Sequence, residues 1–200
     1  MHIRFRPMVA AAAFALAPVG MFAAAAPAHA AVNASEPSAF IETLTTEGFT
    51  ALKGPDKNAA RAKFRQLLSQ HFAVDAIGDR LIRRWRGQIT PAQYQAYKAA
   101  FPTFLIGAYA DRLYDYANAD VKVVRAVPRG NSAAVQSQVV QPGQQPINAI
   151  WTVDKVGGAY KVSNLTVSGI NLAVTQTADF DAYVQRNGFD KLVAFMKSKG

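Results

Sequence analysis

The chain predicts an α+β fold, and three observations carry that prediction. Apolar residues recur at helical spacing through the first half of the sequence. The apolar period drops to two after Asn118. Helical spacing then returns behind a Gly-Ile-Asn-Leu turn at Gly169 to Leu172. The expected architecture is a helical N-terminal half packed on a curved four-stranded antiparallel sheet, closed by C-terminal helices.

The elements follow in order. Ser35 is the expected N-cap of a first helix, with Glu36 and Pro37 in its first turn. Phe40, Ile41, Leu44 and Leu52 form its apolar stripe, and Gly54-Pro55 stops it. Asp56 caps a second helix, with Phe64, Leu67, Leu68 and Phe72 on one face and Arg61 and Arg65 on the other. Asp75 is the expected cap of a third, short helix whose apolar residues are Ile77, Leu81, Ile82 and Trp85, ending at Gly87. Thr90-Pro91-Ala92-Gln93 has the capping-box pattern with Pro at the first helical position. The helix it opens is aromatic, with Tyr94, Tyr97, Phe101, Phe104, Tyr109 and Tyr116, and Pro102 is expected to kink or split it.

Four strands are expected next, at 121–127, 133–140, 147–156 and 160–168. Pro128 to Asn131 reads as a turn, and Gly157-Gly158 as a hairpin. Short connections make the four an antiparallel meander. The last strand is Tyr160-Lys161-Val162-Ser163-Asn164-Leu165-Thr166-Val167-Ser168, and Gly169 permits the sharp turn behind it. A helical segment with Phe180, Tyr183 and Val184 follows, then Asn187-Gly188, then a last helix with Leu192, Val193, Phe195 and Met196.

Composition narrows the chemistry. Arg4 and Arg6 precede the apolar run Val9 to Ala26, and Ala28-His29-Ala30 is a small-x-small cleavage site. That is the pattern of a secretory signal peptide, so residues 1–30 are set apart and residues 31–200 are expected to form one domain. Cysteine is absent, and His71 is the only histidine after position 30. A thiol nucleophile, a thiolate metal site and a multi-histidine metal site are therefore excluded from that domain. Neither a metal nor a cofactor is expected.

The formal charge is +9, and eight basic residues against two acidic ones lie between Lys57 and Arg86. Such a run is a solvated face or a surface drawn to anionic lipid or an acidic protein. Export argues against nucleic acid. Arg80, Arg83, Arg84 and Arg86 are the candidates for a partner or membrane surface.

Enzyme readings find little support. Asp111, Asp115 and Asp154 are the acids near apolar stretches. Asp111 and Asp115 flank Arg112 on what reads as a solvated face, and Asp154 precedes a hairpin. Ser69 and His71 are two apart on a helix and point in different directions. A small enzyme with a carboxylate or Tyr in an apolar pocket stays as the alternative.

Several short motifs occur in a recognisable order. They are Phe72 at a helix end, Trp85 in Arg84-Trp85-Arg86, the Thr90 to Gln93 helix start, and the Tyr-rich Ala108-Tyr109-Ala110 and Leu113-Tyr114-Asp115-Tyr116. Trp151-Thr152-Val153, the Asn164 to Leu172 strand-and-turn, and the tail from Phe180 complete the set. In this the chain resembles the MlaC, or toluene-tolerance, family of periplasmic phospholipid-binding proteins. It departs from the family pattern after the turn, where Thr175-Gln176-Thr177 stands in place of an aromatic-basic pair. A hopanoid-associated branch shares the pattern.

The resemblance implies a nuclear-transport-factor-like fold with an apolar cavity between helices and sheet, and no catalysis. It implies a helical wall of Leu81, Trp85, Phe101, Phe104, Leu105, Tyr109 and Leu113. It implies a sheet-side wall of Trp151, Val153, Leu165, Val167, Ile170 and Leu172. Periodicity alone does not separate a lined cavity from a filled core. The implied ligand is a phospholipid, held by a periplasmic monomer cleaved after Ala30. The implied partners are an outer-membrane lipoprotein complex and an inner-membrane ABC transporter.

Overall fold

A proline and an aspartate set the first two helices. Pro37 occupies the first turn of α1 (Pro37–Leu52), and its fixed φ starts the helix. The residue before a proline prefers extended backbone, so Glu36 becomes the N-cap with φ −121° and ψ 134°. Ser35, the expected cap, instead donates its hydroxyl to Asn33 Oδ1 at 2.6 Å. Asp56 caps α2 (Lys57–His71) as expected, accepting from the backbone N–H of Asn58 and Ala59. In this computed structural model residues 31–114 and 116–199 are described, without the side chains of 109–113. The expected signal peptide therefore lies outside the described residues, as do the side chains of Tyr109, Asp111, Leu113 and Asp115.

Helix α3 spans Val74–Leu81 with Ala73 as its N-cap, so Asp75 sits in the first turn instead of capping it. The Ala73 N–H donates to the Val162 carbonyl at 2.9 Å, which ties the helix start to the sheet. The helix also stops earlier than its apolar spacing predicts. Residues 82–88 continue as consecutive turns, in which the Trp85 N–H donates to the Ile82 carbonyl and the Gln88 N–H to that of Trp85. Helix α4 (Pro91–Tyr114) opens with a two-way capping box. The Thr90 N–H donates to Gln93 Oε1 at 2.9 Å, and the Gln93 N–H to Thr90 Oγ1 at 3.2 Å. Pro102 lies inside it without dividing it, so a split is ruled out.

Among the described residues five antiparallel strands follow, in sheet order β1-β2-β3-β4-β5. They are β1 (Asp120–Arg129), β2 (Ser132–Val140), β3 (Ile147–Val156), β4 (Ala159–Val167) and the two-residue β5 (Ile170–Asn171). The expected meander had four; Ser168-Gly169 folds back tightly enough to pair Ile170 with Val167 and add a fifth. Both turn residues have positive φ, 49° and 82°, as a twisted two-residue hairpin requires. Pro128 falls within β1, at the sheet edge where a missing donor is tolerated.

Asn171 then caps α5 (Leu172–Asn187) by accepting from the Val174 N–H, and α6 (Phe189–Lys199) completes the chain. Among the described residues no helix is long and apolar enough to cross a membrane.

Among the described residues, most buried apolar side chains fall into two clusters. One joins Leu81, Ile82, Tyr97, Phe101 and Phe104 to Phe180, Leu192 and Met196 from α5 and α6. The other joins Phe40, Ile41 and Leu44 of α1 and Leu67 of α2 to Ala133, Val135, Val153 and Val162 of the sheet. The helical core and the sheet core are thus built separately.

Candidate functional site

Strand register assembles the sheet-side wall. Residues paired across strands share a face, and so do residues two apart on one strand. Trp151 pairs with Val135 on one side and Leu165 on the other. Ala149 pairs with Val167, which pairs in turn with Ile170. Val153 pairs with Ala133 and Val162. Trp151, Val153, Leu165, Val167 and Ile170 therefore share one face in three adjacent rows.

A bulge makes this possible. Thr152 pairs with Asn164 but Val153 pairs with Val162, so Ser163 is an extra residue in β4. Strict alternation would place Val162 and Leu165 on opposite faces. The bulge returns them to the same one, and it buries Val162 and Ser163 side by side. Asn164 lies on the opposite face with Thr152 and carries a buried Oδ1 that no donor reaches among the described residues.

Burial grades across the wall. Val153 is fully buried under α1, while Trp151, Leu165 and Val167 are only partly buried. The Trp151 indole N–H is satisfied by Ser137 Oγ at 3.0 Å, so the row offers no unpaired donor there. Leu165, Val167 and Leu172 pack against neither cluster among the described residues. All three are only partly buried. Ile170 departs from the expected wall, being 58% exposed at the hairpin tip.

On the helical side, Leu81, Phe101 and Phe104 are core side chains. Phe101 lies so close to α3 that a Cβ on Gly78 would meet its ring at 2.9 Å. Trp85 and Leu105 are partly buried against this cluster. The Trp85 indole donates to Asp181 Oδ1 at 2.7 Å, holding the turns after α3 against α5. Buried Tyr97 donates its hydroxyl to the Gly78 carbonyl at 2.9 Å. Burial raises its pKa well above the ordinary tyrosine value, with the Asp79 charge adding to the effect, so the phenol stays neutral.

Of the acids considered for catalysis, only Asp154 has a described side chain. Asp154 accepts from Ser132 Oγ across the β2–β3 pair. Ser69 donates to the Gln66 carbonyl, and the His71 ring lies 6.0 Å from that of Phe40. Among the described residues no group of His, Cys, Asp or Glu could hold a metal ion.

A cleft of about 520 Å³ opens between α4, α5 and α6. Its floor is apolar, and the spacing of sequence motifs did not reveal it. Among the described residues Phe104 is the one expected wall residue that lines it. The signal was present in part: Phe180, Tyr183 and Phe195 all appear in the C-terminal helical pattern. Their convergence on Phe104 depends on how α5 and α6 fold back along α4.

These features define an α+β domain with a partly buried apolar row on its sheet and a separate aromatic helical core. The MlaC protein family model matches residues 42–198, and the chain belongs to that family. A curated relative, toluene tolerance protein ttg2D of Pseudomonas putida, is 27% identical over 167 residues, spanning 80% of this chain and 78% of the relative. The solved phospholipid-binding protein of Ralstonia solanacearum, in complex with a phospholipid, has the same fold. Its TM-score is 0.68 at 24% identity, covering 81% of this chain and 95% of that one.

Proposed function

We propose that this protein is a periplasmic phospholipid carrier that shields acyl tails in an apolar cavity and leaves the headgroup in water at its mouth. Membership of the MlaC family is the observation that carries this reading. The phospholipid held by the Ralstonia neighbour supports it. The tails lie against Trp151, Leu165, Val167 and Leu172 on the sheet side, and against Leu105 on the helical side. Leu81, Phe101 and Val153 back these walls as packed core. The protein performs no catalysis. Residues 1–30 direct export and are removed after Ala30. Delivery runs between an outer-membrane lipoprotein complex and an inner-membrane ABC transporter.

Physical chemistry explains the need for such a carrier. Each buried CH₂ contributes ~0.8 kcal/mol, so exposing the roughly thirty of two acyl chains costs about 25 kcal/mol. Transit across an aqueous compartment without a carrier is correspondingly slow. The walls need only match a bilayer in apolarity, because a lipid bound far more tightly would not be released. The headgroup stays hydrated and adds no desolvation cost.

The test is extraction of the protein purified from periplasm, with the released lipid identified by mass spectrometry. A near-stoichiometric phospholipid is expected. A carboxylate at Val167 would face the tails, and Val167→Asp should lower lipid occupancy about tenfold or more. Protein that folds, carries no lipid and takes none up from vesicles would overturn the reading. A hopanoid in place of phospholipid would assign the protein to the other branch.

A further inference from the structure

The helical cleft is lined by no residue of the sheet wall and has its own chemistry. Its floor is aromatic: the Phe104 and Phe180 rings lie 5.6 Å apart, Phe104 and Phe195 6.2 Å, and Tyr183 stacks on Phe195 at 5.2 Å. Its volume of about 520 Å³ falls in the ~300–1,000 Å³ range of small-molecule sites. The rim carries Arg186, Lys199 and Asp179, a net positive charge. Lys199 holds its ammonium 5.7 Å over the Phe195 ring. Arg186 is exposed at the C-terminal end of α5, and among the described residues it makes no ion pair or hydrogen bond. An unpaired guanidinium at the edge of an aromatic floor matches a planar carboxylate on an apolar chain.

We propose that this cleft is a second ligand site, which takes one long-chain fatty acid with its carboxylate on Arg186 and its chain along Phe104, Phe180 and Phe195. The site is independent of the phospholipid held at the sheet. A carrier of membrane lipid meets free fatty acid wherever phospholipid is hydrolysed, and the cleft gives such a product a place that does not displace the cargo.

The probe is oleic acid with a ¹³C-labelled carboxyl, titrated by NMR into the purified protein with its co-purified lipid in place. One saturable equivalent is expected, with the phospholipid retained on extraction afterwards. Arg186→Glu should weaken binding about tenfold or more by removing the charge-assisted contact. Ala182→Trp, which fills the cleft from α5, should abolish it. Circular dichroism checks that both variants fold, and retained phospholipid checks the sheet site.

Oleate that displaces phospholipid mole for mole, or that binds both variants as it binds the native protein, overturns the proposal. So does a lysophosphatidylcholine that binds equally well and ignores Arg186→Glu, because the carboxylate would then do nothing. A protein that carries no phospholipid yet binds oleate through Arg186 would end the carrier reading and leave this one standing.

Discussion

His71 shows how one side chain couples packing to pH. It ends α2, with its ring against Phe40 of α1 and with Glu47, Lys63 and Lys161 as its charged surroundings. Burial lowers its pKa below the ordinary 6.5; Lys161 and Lys63 act in the same direction, and Glu47 opposes them. The folded state therefore favours neutral imidazole more than the unfolded state does. Its stabilising contribution is fully present above the unfolded pKa and is lost as pH falls through the lowered folded value. Thermal melts between about pH 7.5 and about pH 5 should show stability declining on the acid side. His71→Gln, which cannot take the proton, should flatten that part of the profile. An unchanged slope in the variant would assign the decline to other groups. Two of those charged groups, Lys63 and Glu47, form an ion pair that joins α1 to α2.

At the scale of elements, helix starts are set locally. Asp56 Oδ1 accepts from the Asn58 N–H at 2.8 Å and the Ala59 N–H at 3.1 Å. Asp56→Ala should cost about 1 kcal/mol in urea unfolding, and Asp56→Asn should restore most of it. Equal losses from both substitutions would mean that the charge matters more than the accepted hydrogen bonds. Such signals made much of the fold legible: the Thr90 capping box, the Gly157-Gly158 hairpin and the return to helix after Gly169 all depend on neighbours in sequence. Features set by distant partners were not legible. Helix α3 stops at Leu81 although the apolar spacing continues to Trp85, because Trp85 is held by Asp181 on α5. The Ser163 bulge depends on the register with β3, so simple alternation put Val162 and Leu165 on opposite faces when they share one. The sheet wall could therefore be named but not assembled, and the cleft between α4, α5 and α6 could not be foreseen from any one helix.

At the scale of the whole molecule, the basic residues between α3 and α4 are not equivalent. Arg80 donates to the Ser163 carbonyl at 3.2 Å, tying α3 to the sheet. Arg84 lies 3.8 Å from Asp181 and stands over the Trp85 ring, and the Arg86 guanidinium sits 3.3 Å from the Tyr94 ring centre. Three cations are thus fixed against the fold, and they set a positive field around the turns that carry them. Arg83 is exposed and makes no such contact among the described residues. If this surface steers the carrier to anionic membranes or acidic partners, Arg83→Glu should slow delivery without altering what the protein holds. Transfer of a fluorescent phospholipid to anionic vesicles should fall roughly two- to tenfold at low salt. The gap should close near 1 M salt, where the screening length is ~3 Å. Arg84→Glu is the poorer test, since it also disturbs the Asp181 contact that holds Trp85 in place. Equal transfer rates at low salt, with equal lipid occupancy, would reduce the basic run to a solvated face.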